Sequence, residues 1–299
     1  MSENRPLSHY LYLLFLALVW GSSFLVIKTV TTSIPPLTIA ATRISIGALL
    51  IAAYVLLKRE KLPSHSSIWI KGSIIGLIGT GIPFALISWA VKYINSGTAA
   101  ICMSIIPLSV FIMAHFTTHD EKMTWPGLLG IVSGVCGIIV LFYDTLQVND
   151  TNGLGTYALI AMLVSAFGYA LANILIKRYV KTDPINTSFV MLTTSAIILW
   201  PITLIFEQPF SIVIESSEIF SLLYLGVFPT GIATMVLVIF NQKAGPTFVS
   251  YNTYLIPIVG VFAGYIWLDE ILNEAVFLSI MFIMIGIFIA QRQNKSKIR

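Results

Sequence analysis

Long apolar stretches alternate with short polar or Pro/Gly-rich breaks along the whole chain. Each stretch is about the length of the roughly 20-residue helix that crosses a bilayer's hydrocarbon core. Ten are legible, near residues 8–29, 36–57, 68–90, 97–118, 125–143, 154–176, 187–206, 217–239, 246–267 and 273–291. The alternating segments of about ten residues that mark a membrane β-barrel do not occur. The pattern predicts an all-α integral membrane protein with ten transmembrane helices. The first stretch follows Arg5 and passes through Trp20-Gly21-Ser22-Ser23, the outline of a signal peptide. It continues apolar through Val30 without an Ala-x-Ala-like cleavage site, so it is read as a retained span.

Composition removes the soluble alternative. Of 299 residues, 57% are hydrophobic and 10% charged, against about 25% charged in a water-soluble protein. Too few charges remain to coat a body of this size, and its surface must face lipid. Cys102 and Cys136 both lie in apolar runs, which gives no disulfide framework and no metal-ligand spacing.

The net charge of +4 would invite a nucleic-acid partner, but the basic residues sort by membrane side instead. With the N-terminus in the cytoplasm, that side holds fourteen of the 17: Arg5, Lys58, Arg59, Lys61, Lys71, Lys122, Lys177, Arg178, Lys181, Lys243, Arg292, Lys295, Lys297 and Arg299. Lys28 and Lys92 fall near the other face, and Arg43 lies inside a span. Basic residues mark the cytoplasmic side, so both termini are expected there, in a multi-pass protein of the cytoplasmic (inner) membrane. Asp144, Asp150, Glu207, Glu215, Glu218, Asp269, Glu270 and Glu274 lean the opposite way, a weaker corroboration.

The chain also repeats itself. At an offset of 149, Lys28 meets Lys177, Pro35 meets Pro184, Asp120-Glu121 meets Asp269-Glu270, and Gly137 meets Gly286. At 150, Gly76 meets Gly226, Thr80-Gly81-Ile82 meets Thr230-Gly231-Ile232, and Pro107 meets Pro257. The expected units are residues 1–146 and 147–299, five helices each. Five is odd, so the second unit crosses the membrane in the opposite sense. Such inverted repeats build many secondary transporters, with substrate bound between the halves near the midplane. The expected architecture is two inverted five-helix repeats around a central cavity.

Several residues carry a family resemblance. Trp20-Gly21-Ser22-Ser23-Phe24, Arg43 in the second span, Pro107 and Pro257, Glu121 with Gly130 and Gly137, and Glu270 with Gly286 occur in order and at duplicated spacing. In these the chain resembles the ten-span EamA-type exporters of the drug/metabolite transporter superfamily over essentially its whole length. Ser279 replaces the middle glycine of the second closing motif. The resemblance implies a carrier of small organic metabolites, commonly amino acids and related compounds, working by alternating access and usually as an exporter. It does not name one cargo. The four-span multidrug members of the superfamily use a first-span glutamate that is missing here.

No Asp or Glu falls within a span core, so a proton relay through an intramembrane carboxylate is not expected. His115, near the cytoplasmic end of span four, is the remaining titratable group there. Arg43 lies about seven residues from the outer end of span two, roughly 10 Å deep. Two readings of it stand: its planar fork binds a substrate carboxylate, or it satisfies backbone carbonyls or snorkels to the interface.

Trp20, Ser23, Phe24 and Ile27 share one helix face. The offset of 149 sets Tyr169 opposite Trp20 and Asn173 opposite Phe24. Of these, Trp20, Ser23, Phe24, Tyr169 and Asn173 are candidate substrate-binding residues, together with Arg43, Trp89, Tyr251, Asn252 and Tyr254. Asn173 and Asn252 are the better founded, because an amide facing lipid is costly; an aromatic box would also suit amines, although such a stripe equally serves packing. Pro107 and Pro257 are candidate hinges. Gly72 with Gly76, Gly130 with Gly134 and Gly260 with Gly264 suit close helix crossings. Asp120-Glu121 and Asp269-Glu270 are read as caps of spans five and ten.

An intramembrane enzyme would need a buried nucleophile and base or metal ligands, and His9, His65, His115 and His119 form no such pattern. A channel would need a polar pore ring, which is not evident. The expected function is export of amino acids or related compounds. Uptake or exchange of a scavenged metabolite such as S-adenosylmethionine is the alternative. No cofactor or metal is implied, and the expected partners are a small-molecule substrate and the lipid bilayer. Nucleic acid is not among them, and a monomer and a homodimer are equally open.

Overall fold

The computed structural model describes residues 6–59, 61–63, 65–117, 125–148, 153–180 and 184–296. Among them, all regular secondary structure is helical. In lipid a segment must satisfy its own backbone hydrogen bonds, and helices do so. The helices form ten rods. The first three are α1 (Leu7–Val30), α2 (Pro36–Leu57) and α3 (Ser66–Tyr93). In α4, helical Ser96–Cys102 and Ile106–Thr117 flank a 3₁₀ turn at Met103–Ile105. Then come α5 (Trp125–Val148), α6 (Leu154–Tyr179), α7 (Pro184–Phe206) and α8 (Ser216–Ala244). In α9, Pro246–Val249 and Ile256–Leu268 flank a 3₁₀ turn at Ser250–Tyr254, and α10 is Glu274–Ser296. Eight rods are long and apolar enough to cross a membrane; α5 and α10 contribute shorter apolar stretches, Trp125–Leu141 and Glu274–Gly286. The chain is a multi-pass membrane protein.

The same irregularities recur in the same order. α3 carries a π-helical turn at Leu77–Gly81, and α8 one at Val227–Ile232, over the two Thr-Gly-Ile sequences. The 3₁₀ turns of α4 and α9 each end just before Pro107 and Pro257. A proline tolerated in the first helical turn lacks the N–H that the break would leave unpaired, which explains why helix resumes there.

Small residues set the crossings. A Cβ on Gly72 would meet Val190, and one on Gly76 the backbone of Met191, so α3 rests directly on α7. Gly260 faces Ala100 across the α9–α4 contact, while Gly286 faces the Gly130 carbonyl between α10 and α5. These last two rods pack chiefly on one another.

At the end of the bundle where α1 finishes, charged side chains tie helix ends together. Glu207, just past α7, accepts hydrogen bonds from Leu37 N (2.9 Å), Thr38 N (2.7 Å) and Thr38 Oγ1 (2.8 Å) at the start of α2. Glu270 accepts from Ser96 N at 2.6 Å and Gly97 N at 3.0 Å at the start of α4. Asp269 has a left-handed backbone (φ 52°), and the Glu270 N–H bonds Gly264 O, so the chain doubles back toward α4. Lys28 donates to the carbonyls of Val91 and Ile94, both at 2.9 Å, at the end of α3. At the opposite end of the bundle, Lys177, 149 residues further on, donates to Gln242 O at 3.2 Å near the end of α8.

This corrects the expectation for the second acidic pair. Glu270 is a helix cap, but of α4 rather than α10, whose first turn is capped by Asn273 Oδ1 accepting from Val276 N at 3.0 Å. The reason is the left-handed Asp269, which turns the next residue away from its own following helix. Asp120-Glu121 lie outside the described residues. Glu270→Ala leaves two α4 donors without their acceptor and is expected to destabilise the protein by about 2 kcal/mol, the scale of bonds to a charged group. Its thermal midpoint in detergent measures this, and an unchanged midpoint would show that the cap carries no stability.

Candidate functional site

A cavity lies at the centre of the helices, with walls from every rod except α5 and α10. It leaves about 50 Å³ to the centre of a water-sized sphere, room for a small cluster of waters. α1 contributes Trp20, Ser23, Phe24 and Ile27, the face expected from helical spacing. Arg43, Tyr169, Asn173 and Asn252 also line it. Seven of the ten predicted binding residues are thus brought together.

Trp89, Tyr251 and Tyr254 stand outside that lining. The Trp89 ring packs 5.1 Å from Tyr93. Tyr251 and Tyr254 stack on one another at 5.4 Å, and Tyr251 meets Phe248 at 5.5 Å. Pro107 and Pro257 also lie behind the wall, one residue after the lining residues Ile106 and Ile256. The side chain of His115 lies outside the described residues.

An aromatic wall runs through the site. Trp20 and Tyr169, the pair aligned by the sequence offset of 149, have ring centroids 6.5 Å apart. Phe84 follows at 6.4 Å from Tyr169, and the Arg43 guanidinium carbon stands 4.1 Å above the Phe84 ring. Phe84, Thr80 and Thr234 were not singled out from sequence; the Thr-Gly-Ile repeat was the signal available for Thr80.

Arg43 is 2% exposed, so it does not snorkel. Its Nε donates to Thr230 Oγ1 at 3.0 Å, and Thr230 Oγ1 in turn donates to Leu225 O at 2.7 Å. Among the described residues no carboxylate pairs with Arg43 and no acceptor bonds its two terminal nitrogens. A buried guanidinium in this condition is costly unless an anion meets it. The Trp20 indole also reaches the α8 π turn, donating to Pro229 O at 2.9 Å.

The amides add directional groups. Asn241 Nδ2 donates to both Asn173 O and Asn173 Oδ1 at 3.1 Å, so the Asn173 group left for a ligand is its NH2. Asn252 is 1% exposed, and its Nδ2 has no hydrogen-bond partner among the described residues. Among the described residues the site therefore offers one cation, amide groups and aromatic or aliphatic walls, with no acidic side chain in its lining. Such a surface suits a small organic molecule with an apolar body and an anionic group.

Comparison with known proteins places this geometry. The model of a family described as "EamA-like transporter family" matches residues 7–143 and again 156–291. "Uncharacterized transporter YoaV" of Bacillus subtilis is 25% identical over 273 residues, covering 91% of this chain and 92% of that protein. A "Probable amino-acid metabolite efflux pump" of Escherichia coli is 27% identical over 290 residues, covering 92% of each. "Uncharacterized inner membrane transporter YedA" of Escherichia coli is 24% identical over 263 residues, 87% of this chain and 82% of its own. A solved crystal structure superposes with a TM-score of 0.69 over 95% of this chain and 96% of that one, at 19% identity, a likeness of fold alone.

Proposed function

Because the chain belongs to the EamA-like transporter family, and is thus a membrane transporter of small molecules, we propose that it is a secondary carrier exporting amino acids or related carboxylates from the cytoplasm by alternating access. The single observation that carries the cargo class is Arg43, buried in the central cavity with its terminal nitrogens unpaired. A cargo carboxylate meets that fork, and its apolar body lies along Trp20, Tyr169 and Phe84. Asn173 and Asn252 serve the remaining polar groups. The resemblance to an efflux pump of amino-acid metabolites supports export.

In this reading the ten rods are ten spans, arranged as two inverted repeats, residues 1–146 and 147–299, with both termini cytoplasmic and the protein in the inner membrane. The recurrence of π turns, 3₁₀ breaks and the Lys28/Lys177 contacts supports the repeat. Pro107 and Pro257 are the hinges. Each opens a helical segment behind a 3₁₀ turn and, lacking an N–H, donates no backbone hydrogen bond across that break. Pro107→Ala and Pro257→Ala are expected to slow transport while leaving cargo affinity unchanged, as read by counterflow and equilibrium binding. Normal rates in both would remove the hinge role.

The test of function is counterflow in liposomes with a panel of labelled amino acids, their deaminated acids, amines and S-adenosylmethionine. Saturable exchange confined to carboxylate-bearing compounds is expected. Exchange of amines alone, or of nothing from well-folded protein, would overturn the proposal.

A further inference from the structure

The carrier reading gives Arg43 the cargo's carboxylate but not what aims its guanidinium, a group on a long and flexible stem. We propose that Thr230 is the positioning residue that aims the Arg43 fork into the cavity. The inference rests on the carboxylate reading of Arg43. Thr230 belongs to the π-helical turn Val227–Ile232, and its hydroxyl bonds the carbonyl five residues back, Leu225 O, at 2.7 Å. With its only proton committed there, Oγ1 is left as an acceptor, and Arg43 Nε donates to it at 3.0 Å. The Nε–H is thereby occupied, which leaves the edge between the two terminal nitrogens. Phe84 lies against the guanidinium, 4.1 Å from its central carbon to the ring centroid. A planar group fixed at one edge and one face keeps only its terminal edge for a ligand, the edge that meets a carboxylate in a fork.

The surroundings fix the threonine itself. A Cβ on Gly47, one turn beyond Arg43, would stand 2.9 Å from Thr230 Cγ2 and 3.0 Å from Gly231 N, so α2 and the π turn approach as closely as a glycine allows. The methyl group is packed and the hydroxyl rotamer follows. The first half lacks this arrangement. Thr80 is the repeat counterpart of Thr230 and lines the cavity from the other π turn, but Leu192 occupies the position equivalent to Arg43. Aiming an arginine is therefore specific to the second π turn.

Thr230→Val keeps the shape and removes the hydroxyl, whereas Thr230→Ser keeps the hydroxyl and removes the methyl. The full-length protein in nanodiscs is titrated with benzoate and with benzamide, a carboxylate and its neutral isostere. The wild type is expected to prefer benzoate. Thr230→Val should bind benzoate about tenfold more weakly, the worth of one well-placed hydrogen bond, with benzamide unchanged. Thr230→Ser should restore the preference. If Thr230→Val keeps the wild-type ratio while Arg43→Gln loses it, Thr230 does not aim the fork and this inference falls alone. Equal loss in Thr230→Ser and Thr230→Val would also overturn it, because the hydroxyl would then not be the operative group. If Arg43→Gln keeps the preference, or the wild type has none, the carboxylate reading falls and takes this inference with it.

Discussion

Arg43→Gln is expected to bind carboxylate-bearing cargo about 100-fold more weakly than the wild type, from a bond to a charged group of about 1.5–3 kcal/mol. The same variant is expected to melt no earlier. The two effects part because Arg43 is 2% exposed and lacks a carboxylate partner among the described residues. In the unloaded protein it costs solvation that one hydroxyl and one ring only partly offset. A neutral amide removes that cost along with the contacts. Cargo titration and a thermal melt on one preparation separate the outcomes. Normal cargo affinity with an earlier melt would make Arg43 a brace between α2 and α8, and the cavity would then need another anchor.

Gly76→Leu is expected to leave no monodisperse protein after detergent extraction. A Cβ at that position would sit 2.6 Å from Met191 Cα and 2.9 Å from Met191 C, and these are backbone atoms that cannot rotate away. Overpacking by a methylene costs about 1–3 kcal/mol where side chains can adjust; a leucine here adds four carbons against a main chain that cannot. Gly76→Ala is the milder version and should fold with a lowered melting temperature. Without a hydrophobic driving force between helices in lipid, close van der Waals contact carries the association, so α3 and α7 would separate rather than re-register. A Gly76→Leu protein that elutes as a single species and melts normally would refute the close crossing.

The rods were legible because hydropathy is written locally, one residue at a time. Their ends fell within about three residues of expectation except in α5, α8 and α10, which run on to Val148, Ala244 and Ser296. What sequence could not supply was pairing at a distance. Glu270 looks like the cap of the helix that follows it, and only the left-handed Asp269 reveals that it serves donors 173 and 174 residues earlier. Trp20, Phe24, Tyr169 and Asn173 were found because helical spacing and the repeat offset both pointed at them. Tyr251 and Tyr254 shared the neighbourhood of Asn252 but not its orientation, since a 3₁₀ turn places successive side chains differently from the α-helix assumed. The π turns were invisible as turns, although the Thr-Gly pairs within them were conspicuous as part of a repeat.

The cavity takes no wall from α5 or α10, and those two rods pack chiefly on each other. In the proposed carrier, selectivity and scaffolding are therefore written in different parts of the gene product. On that proposal, substitutions that retune the cargo are expected on the other eight rods, whose inner faces line the cavity. The α5–α10 pair is free to drift so long as its glycine contacts survive.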